Sequence, residues 1–228
     1  MPRYLEFAVA SNFSFLRGAS HAEELMLQAA HIGLDGLGLC DRNSVAGVVR
    51  AHLIKREQGL PLAYHPGARL VFADGTPDIL ADPRDRGAWG RLCRLLTRGN
   101  LRAEKGECIL YRDDLLEHID GLELIVMETS TWELASPPLL RKPPSTPAST
   151  DLPASMQAGP KAGLRLVASA EKKASANHLL ALLRDAAQGR VRLAANMLYR
   201  GNDRARLLRR AAIARQAGMP LIAVNQVL

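Results

Sequence analysis

Aromatic residues make up only 4% of this 228-residue chain. A platform that stacks successive bases needs ring after ring, so single-strand stacking is not expected. The three cysteines (Cys40, Cys93, Cys108) are odd in number and far apart, and no CxxC or Cys/His spacing accompanies them. They suit a reducing cytoplasm rather than a disulfide framework or a structural zinc. No apolar run approaches the roughly 18 residues that span a bilayer. The opening Met-Pro-Arg-Tyr-Leu-Glu-Phe has no apolar signal core, so a cytoplasmic protein without membrane contact is expected. Also missing are a P-loop, GxGxxG and GxSxG. His21, His31, His52, His65, His118 and His178 are scattered without HxH or HExxH spacing, which reads as ordinary loop or core histidine.

What is present is an apolar fraction of 47%, enough for one substantial core, and a net charge of +7 with a pI near 9.7. The basic residues are unevenly placed: Leu164 to Leu228 holds twelve Lys/Arg against three Asp/Glu. DNA contact through a basic surface is compatible with that bias, and so is an arginine-rich solvated face.

Short apolar segments alternate with helical periodicity. Strands are expected at Tyr4–Ala10, Gly36–Cys40, within Leu62–Phe72, and at Cys108–Tyr111, Leu122–Met127, Val191–Ala195 and Leu221–Val224. Helices are expected at His21–Ile32, Ser44–Gln58, Arg86–Arg98, Asn177–Gln188 and Asp203–Ala217. Ser20 and Glu23 fit a capping box for the first helix, and Gly33 its end. Such alternation predicts β/α units and a mainly parallel sheet, with functional positions at the carboxyl ends of the strands. Ala10, Asp41, Arg69, Asn196 and Gln226 fall near those ends. Thr129–Gly163 breaks the rhythm, with seven of the thirteen prolines and nine Ser/Thr. It predicts a flexible, disordered insertion (129–163) within a single domain spanning 1–228.

Two stretches carry a family resemblance: SNFSFLRGAS at Ser11–Ser20, with GLCDRNSVAGVVRAH at Gly38–His52, and RLLTRGNLRAEKGEC ending at Cys108. Together they resemble the polymerase-and-histidinol-phosphatase (PHP) domain at the N-terminus of error-prone C-family bacterial DNA polymerases (DNA polymerase III alpha subunit-like). The resemblance implies a distorted (β/α)7 PHP barrel whose mouth holds two or three divalent metals on His, Asp and Glu. Here the family's HxH pair falls at Ala8 and Ala10, and its Asp-His at Asp41-Arg42. Its Glu falls at Arg69 and its late Asp at Gln226. Methyl groups, guanidinium cations and an amide thus stand at ligand positions, with Asp41 as a vestigial ligand, as a helix-cap or turn residue, or as the ion-pair partner of Arg42 or Arg69 in a vestigial pocket. An arginine cannot give up its proton to bind a cation.

The resemblance therefore implies a structural module of an error-prone polymerase alpha subunit, acting in DNA-damage tolerance and translesion synthesis. Its partners would be the polymerase domains of the same or parent protein, it would need no cofactor, and the chain is too short to include the palm with its catalytic aspartates. One alternative is a divergent phosphoesterase holding zinc or manganese on Asp41, His65, Asp74 and Asn196. Another is a basic DNA-binding orphan. Arg98, Arg102 and Lys105, in and beside a turn-rich loop bracketed by Gly99 and Gly106, are candidates for nucleic-acid or domain contact.

Overall fold

The structure is a computed structural model that describes residues 4–128, 176–197, 199 and 201–225. Two compact units divide the chain, Met1–Glu128 with Ala181–Leu228, and Thr129–Leu180. The expected insertion at 129–163 and the strand-end residue Gln226 lie outside the described residues.

Seven strands form one sheet in sequence order: β1 (Leu5–Val9), β2 (Gly36–Arg42), β3 (Ala63–Leu70), β4 (Ile79–Pro83), β5 (Leu122–Val126), β6 (Val191–Ala195) and β7 (Leu221–Ala223). Every neighbouring pair is parallel except β3–β4 and β4–β5. Strand β4 therefore runs against the other six, whose carboxyl ends share one edge. The helices of this unit are α1 (Ala22–His31), α2 (Val48–Glu57), α3 (Arg86–Arg102), α4 (Arg112–His118), α5 (181–186) and α6 (Asp203–Ala217). This is a mixed α/β, mainly parallel curled sheet, consistent with the expected distorted (β/α)7 PHP-type fold.

Its two faces bury separate cores. On one side Val9, Leu37 and Leu39 pack with Met26 and Ala29 of α1 and Ala51 of α2. On the other, Ala8, Cys40, Leu80, Ile125, Met127, Ala194 and Val224 meet across the inside of the curl. Six of the seven residues of β2 are buried, as in a parallel strand covered on both faces. Where β1 and β7 approach, a buried carboxylate joins them: Glu6 Oε2 accepts from Asn225 N at 2.7 Å, while Glu6 Oε1 accepts from Ala8 N at 2.8 Å.

Several expectations shift. Helix α1 is capped one residue later than Ser20 and Glu23 suggest, with His21 N donating to Glu24 Oε2 at 2.7 Å. Strand β4 and helix α4 were not expected. Cys108–Tyr111 contributes only an isolated bridge, Phe72 to Leu110. Helix α3 runs on to Arg102, so the first part of the expected turn-rich loop is helical. Gly99 sits inside that helix because a Cβ there would meet Cys108 Sγ and a Leu110 methyl at 2.6 Å each. Close packing explains this glycine, and chain termination does not.

Candidate functional site

Three strand ends place the expected ligand positions at the shared carboxyl edge. Ala8 lies in β1 and Ala10 just after it, Asp41 and Arg42 close β2, and Arg69 is next to last in β3. Both alanines are buried and offer only methyl groups.

The carboxylate of Asp41 is buried and engaged by the loop that follows β1. Its Oδ1 accepts from Ser11 N at 2.8 Å and Ser14 Oγ at 2.6 Å, and its Oδ2 accepts from Ser11 Oγ at 2.7 Å. Ser14 Oγ in turn accepts from Arg42 N at 3.0 Å. The SNFSFLRGAS stretch thus folds as a loop tied to the end of β2, closed by Asn12 N donating to Ser20 O at 2.9 Å. Gly18 completes it, since a Cβ there would lie 2.1 Å from Ser11 O. Asp41 pairs with serines, and the alternative pairing with Arg42 or Arg69 is not what the structure shows. Arg69 instead contacts Asp78 Oδ2 through Nε and Nη2, each at 2.8 Å.

At the ends of β5 and β6, two buried arginines of α6 bind the strand termini. Arg206 donates to Asn196 Oδ1 at 2.8 Å, to Glu128 Oε2 at 2.8 Å and to Asp203 Oδ1 at 2.8 Å. Arg210 donates to Ala194 O at 2.9 Å and Val126 O at 2.6 Å. Burial lowers the Arg210 pKa to about 10, with Glu128 opposing, so it stays a cation at neutral pH. Neither arginine stands out in the sequence. Their i, i+4 spacing places them on one helix face, but Arg204, Arg209 and Arg215 hide that signal.

The family's ligand positions do not fit a divalent cation. Neither alanine has a lone pair to offer, Arg42 and Arg69 carry charge of the wrong sign, and the Asp41 oxygens already accept three hydrogen bonds. The alternative ligand set does not assemble either. Asp74 accepts from Arg112 N at 2.8 Å and Thr76 N at 3.0 Å. His65 lies toward the opposite end of the sheet, where its Nδ1 is 3.1 Å from Asp82 Oδ2. Among the described residues, no three His, Cys, Asp or Glu side chains gather in a group that could hold a metal.

The cations of the second resembling stretch are partly engaged. Arg102 grips both Asp114 oxygens, at 2.6 and 2.9 Å, and Arg98 Nε lies 3.2 Å from Asp114 Oδ1 while its Nη1 donates to Glu117 Oε2. Lys105 is exposed in the turn after α3. The Arg102 hydrogen bonds pull the Asp114 pKa down to about 2.

No family model matches the chain. It is 44% identical over 227 residues to an error-prone DNA polymerase of Mesorhizobium japonicum, and 43% identical over 225 residues to error-prone DNA polymerase 1 of Rhizobium meliloti. Each match covers 99% of this chain and 17% of the relative. An error-prone DNA polymerase of Rhodopseudomonas palustris (strain BisA53) is 44% identical across the whole chain, which spans 20% of that relative. The chain therefore spans about a fifth or less of the curated relatives it matches. Among solved structures, a proposed metal-dependent phosphoesterase from Bifidobacterium adolescentis has the same fold, with a TM-score of 0.56 and 12% identity over 99% of this chain and 87% of that one. Over its length the chain is similar to the amino-terminal regions of error-prone DNA polymerases, and it has a PHP-type fold.

Proposed function

We propose that this chain is a structural module of an error-prone DNA polymerase, that it works without a metal cofactor, and that it packs against the polymerase domains of its parent protein in cytoplasmic translesion synthesis and DNA-damage tolerance. The observation that carries this reading is the mouth itself. Its expected ligand positions hold Ala8, Ala10, Arg42 and Arg69, and its carboxylate is committed to Ser11 and Ser14. A guanidinium keeps its proton and offers a cation no lone pair, so neither Arg42 nor Arg69 can stand in for a lost ligand.

A packing role has its own support. The loop tied to Asp41 presents Phe15 and Leu16 at 82% and 89% exposure. Two large apolar side chains held out by a hydrogen-bonded loop suit burial against a protein surface. No helix among the described residues is long and apolar enough to cross a membrane. DNA contact through the basic surface is a secondary part of the proposal, and here Lys105 is a better candidate than Arg98 or Arg102, which α4 engages.

The test uses a relative's polymerase region lacking its own amino-terminal fifth. This chain is expected to bind it in trans, and Phe15→Asp with Leu16→Asp to weaken binding about tenfold or more. Manganese- or zinc-dependent turnover of a phosphodiester by the chain, with no association, would overturn the proposal.

A further inference from the structure

The other end of the sheet holds a cavity of about 270 Å³. Four polar residues line it, each on a different strand: His65 on β3, Asp82 on β4, Glu123 on β5 and Arg192 on β6. They lie near the amino ends of the parallel strands, away from Asp41 and Arg69. Phe7, Leu80, Ile125 and Ile222 supply apolar walls.

The polar groups come in two pairs of opposite charge. His65 Nδ1 is 3.1 Å from Asp82 Oδ2, and the Arg192 guanidinium donates to Glu123 Oε2. Glu123 also lies 3.7 Å from Arg84 Nε. The hydrogen bond to Asp82 raises the His65 pKa, with burial opposing it. When His65 is protonated, its lining charge balances, so neither an anion nor a cation gains from one pair without losing to the other. A neutral ligand is favoured.

Shape narrows the class further. The Phe7 and His65 rings, with centroids 5.2 Å apart and planes at 58°, form an aromatic corner against which a flat ring can lie. An engineered cavity of about 150 Å³ admits benzene. The larger volume here suits one or two fused rings and is small for a ligand carrying a phosphate chain. Along the polar side, carboxylates accept beside a guanidinium and an imidazole that donate. Such a wall matches a ring whose edge alternates donors and acceptors.

We propose that this cavity binds a nucleobase, a neutral planar heterocycle held by the His65–Asp82 and Glu123–Arg192 pairs and walled by Phe7, Leu80, Ile125 and Ile222. This site does not depend on the proposed function of the mouth.

The test is NMR titration of the whole chain with adenine and cytosine, following the His65 ring nitrogens and the Ile125 and Ile222 methyls. Benzoate, benzylamine and indole serve as anionic, cationic and acceptor-poor controls. The bases are expected to shift those signals with Kd values on the order of 0.1–1 mM, the range for about ten ligand atoms, and the controls to bind at least about tenfold more weakly. Asp82→Asn is expected to weaken base binding about tenfold, and Leu80→Trp, which fills the cavity, to abolish it. Unmoved signals in the unaltered chain up to the solubility limit of the bases would overturn the proposal, whatever the variants do. Controls that bind as well as the bases would overturn it too.

Discussion

The two ends of the sheet solve the same problem in opposite ways. Both gather charged side chains at strand termini, where burial makes an unpaired charge costly. At the carboxyl mouth, hydrogen bonds close the structure: Asp41 is tied to Ser11 and Ser14, Arg69 to Asp78, and Arg206 and Arg210 to the ends of β5 and β6. At the amino end, the pairs His65–Asp82 and Arg192–Glu123 stand around a cavity of about 270 Å³. The mouth spends its polar groups on holding the chain together, whereas the amino end leaves room beside them.

That contrast can be broken by mutation, most severely at the mouth. Arg206→Ala should destabilise the chain by about 3–5 kcal/mol in urea unfolding, because Glu128 and Asp203 would lose a buried cationic partner. Asp41→Ala should cost about 2–3 kcal/mol, since the Ser11 amide and two buried hydroxyls lose their acceptor. Amide exchange should then accelerate across Asn12–Gly18 more than in β5 and β6.

Between the ends, the α3–α4 junction supplies a middle-sized effect. Asp114→Asn should cost about 1–3 kcal/mol, as Arg102 loses a bidentate partner. Asp114 has a folded pKa of about 2, below its ordinary 3.8. Its contribution is therefore present above about pH 4 and lost as the pH falls toward 2. The acid limb of a stability–pH curve should flatten in that window for the variant.

The smallest effect belongs to the amino end. His65 has a raised pKa, first through its hydrogen bond to Asp82, and burial works against the shift. Its contribution is thus full below the ordinary histidine value near 6.5 and fades as the pH rises through the raised folded value. His65→Gln should remove that alkaline decline with less than about 1 kcal/mol lost at pH 7, because the pair is part-exposed.

Legibility followed periodicity. Asp203–Ala217 and Val191–Ala195 appear with the bounds expected from apolar spacing. Strand β4 escaped notice because Ile79–Pro83 is short, ends in Asp-Pro and is the one strand running against its neighbours. Helix α4 escaped because Arg112–His118 is a charged pair of turns with little apolar rhythm. At the mouth, the residues at the positions where the resemblance expects ligands, Ala8, Ala10, Arg42 and Arg69, are read from the sequence directly. What holds Asp41 could not, because Ser11 and Ser14 lie 30 and 27 residues away in sequence. The buried arginines of α6 could not be told from exposed ones, since exposure depends on tertiary packing. The cavity was equally hidden, because its polar residues come from four separate strands.

The central claim is that the mouth is architecture rather than a metal site, and calorimetric titration of the purified, chelator-treated chain with zinc and with manganese tests it most directly. The account predicts no stoichiometric binding at micromolar metal and no rise in melting temperature. One or more tightly bound equivalents that vanish in Asp41→Asn, with the fold intact by circular dichroism, would contradict it.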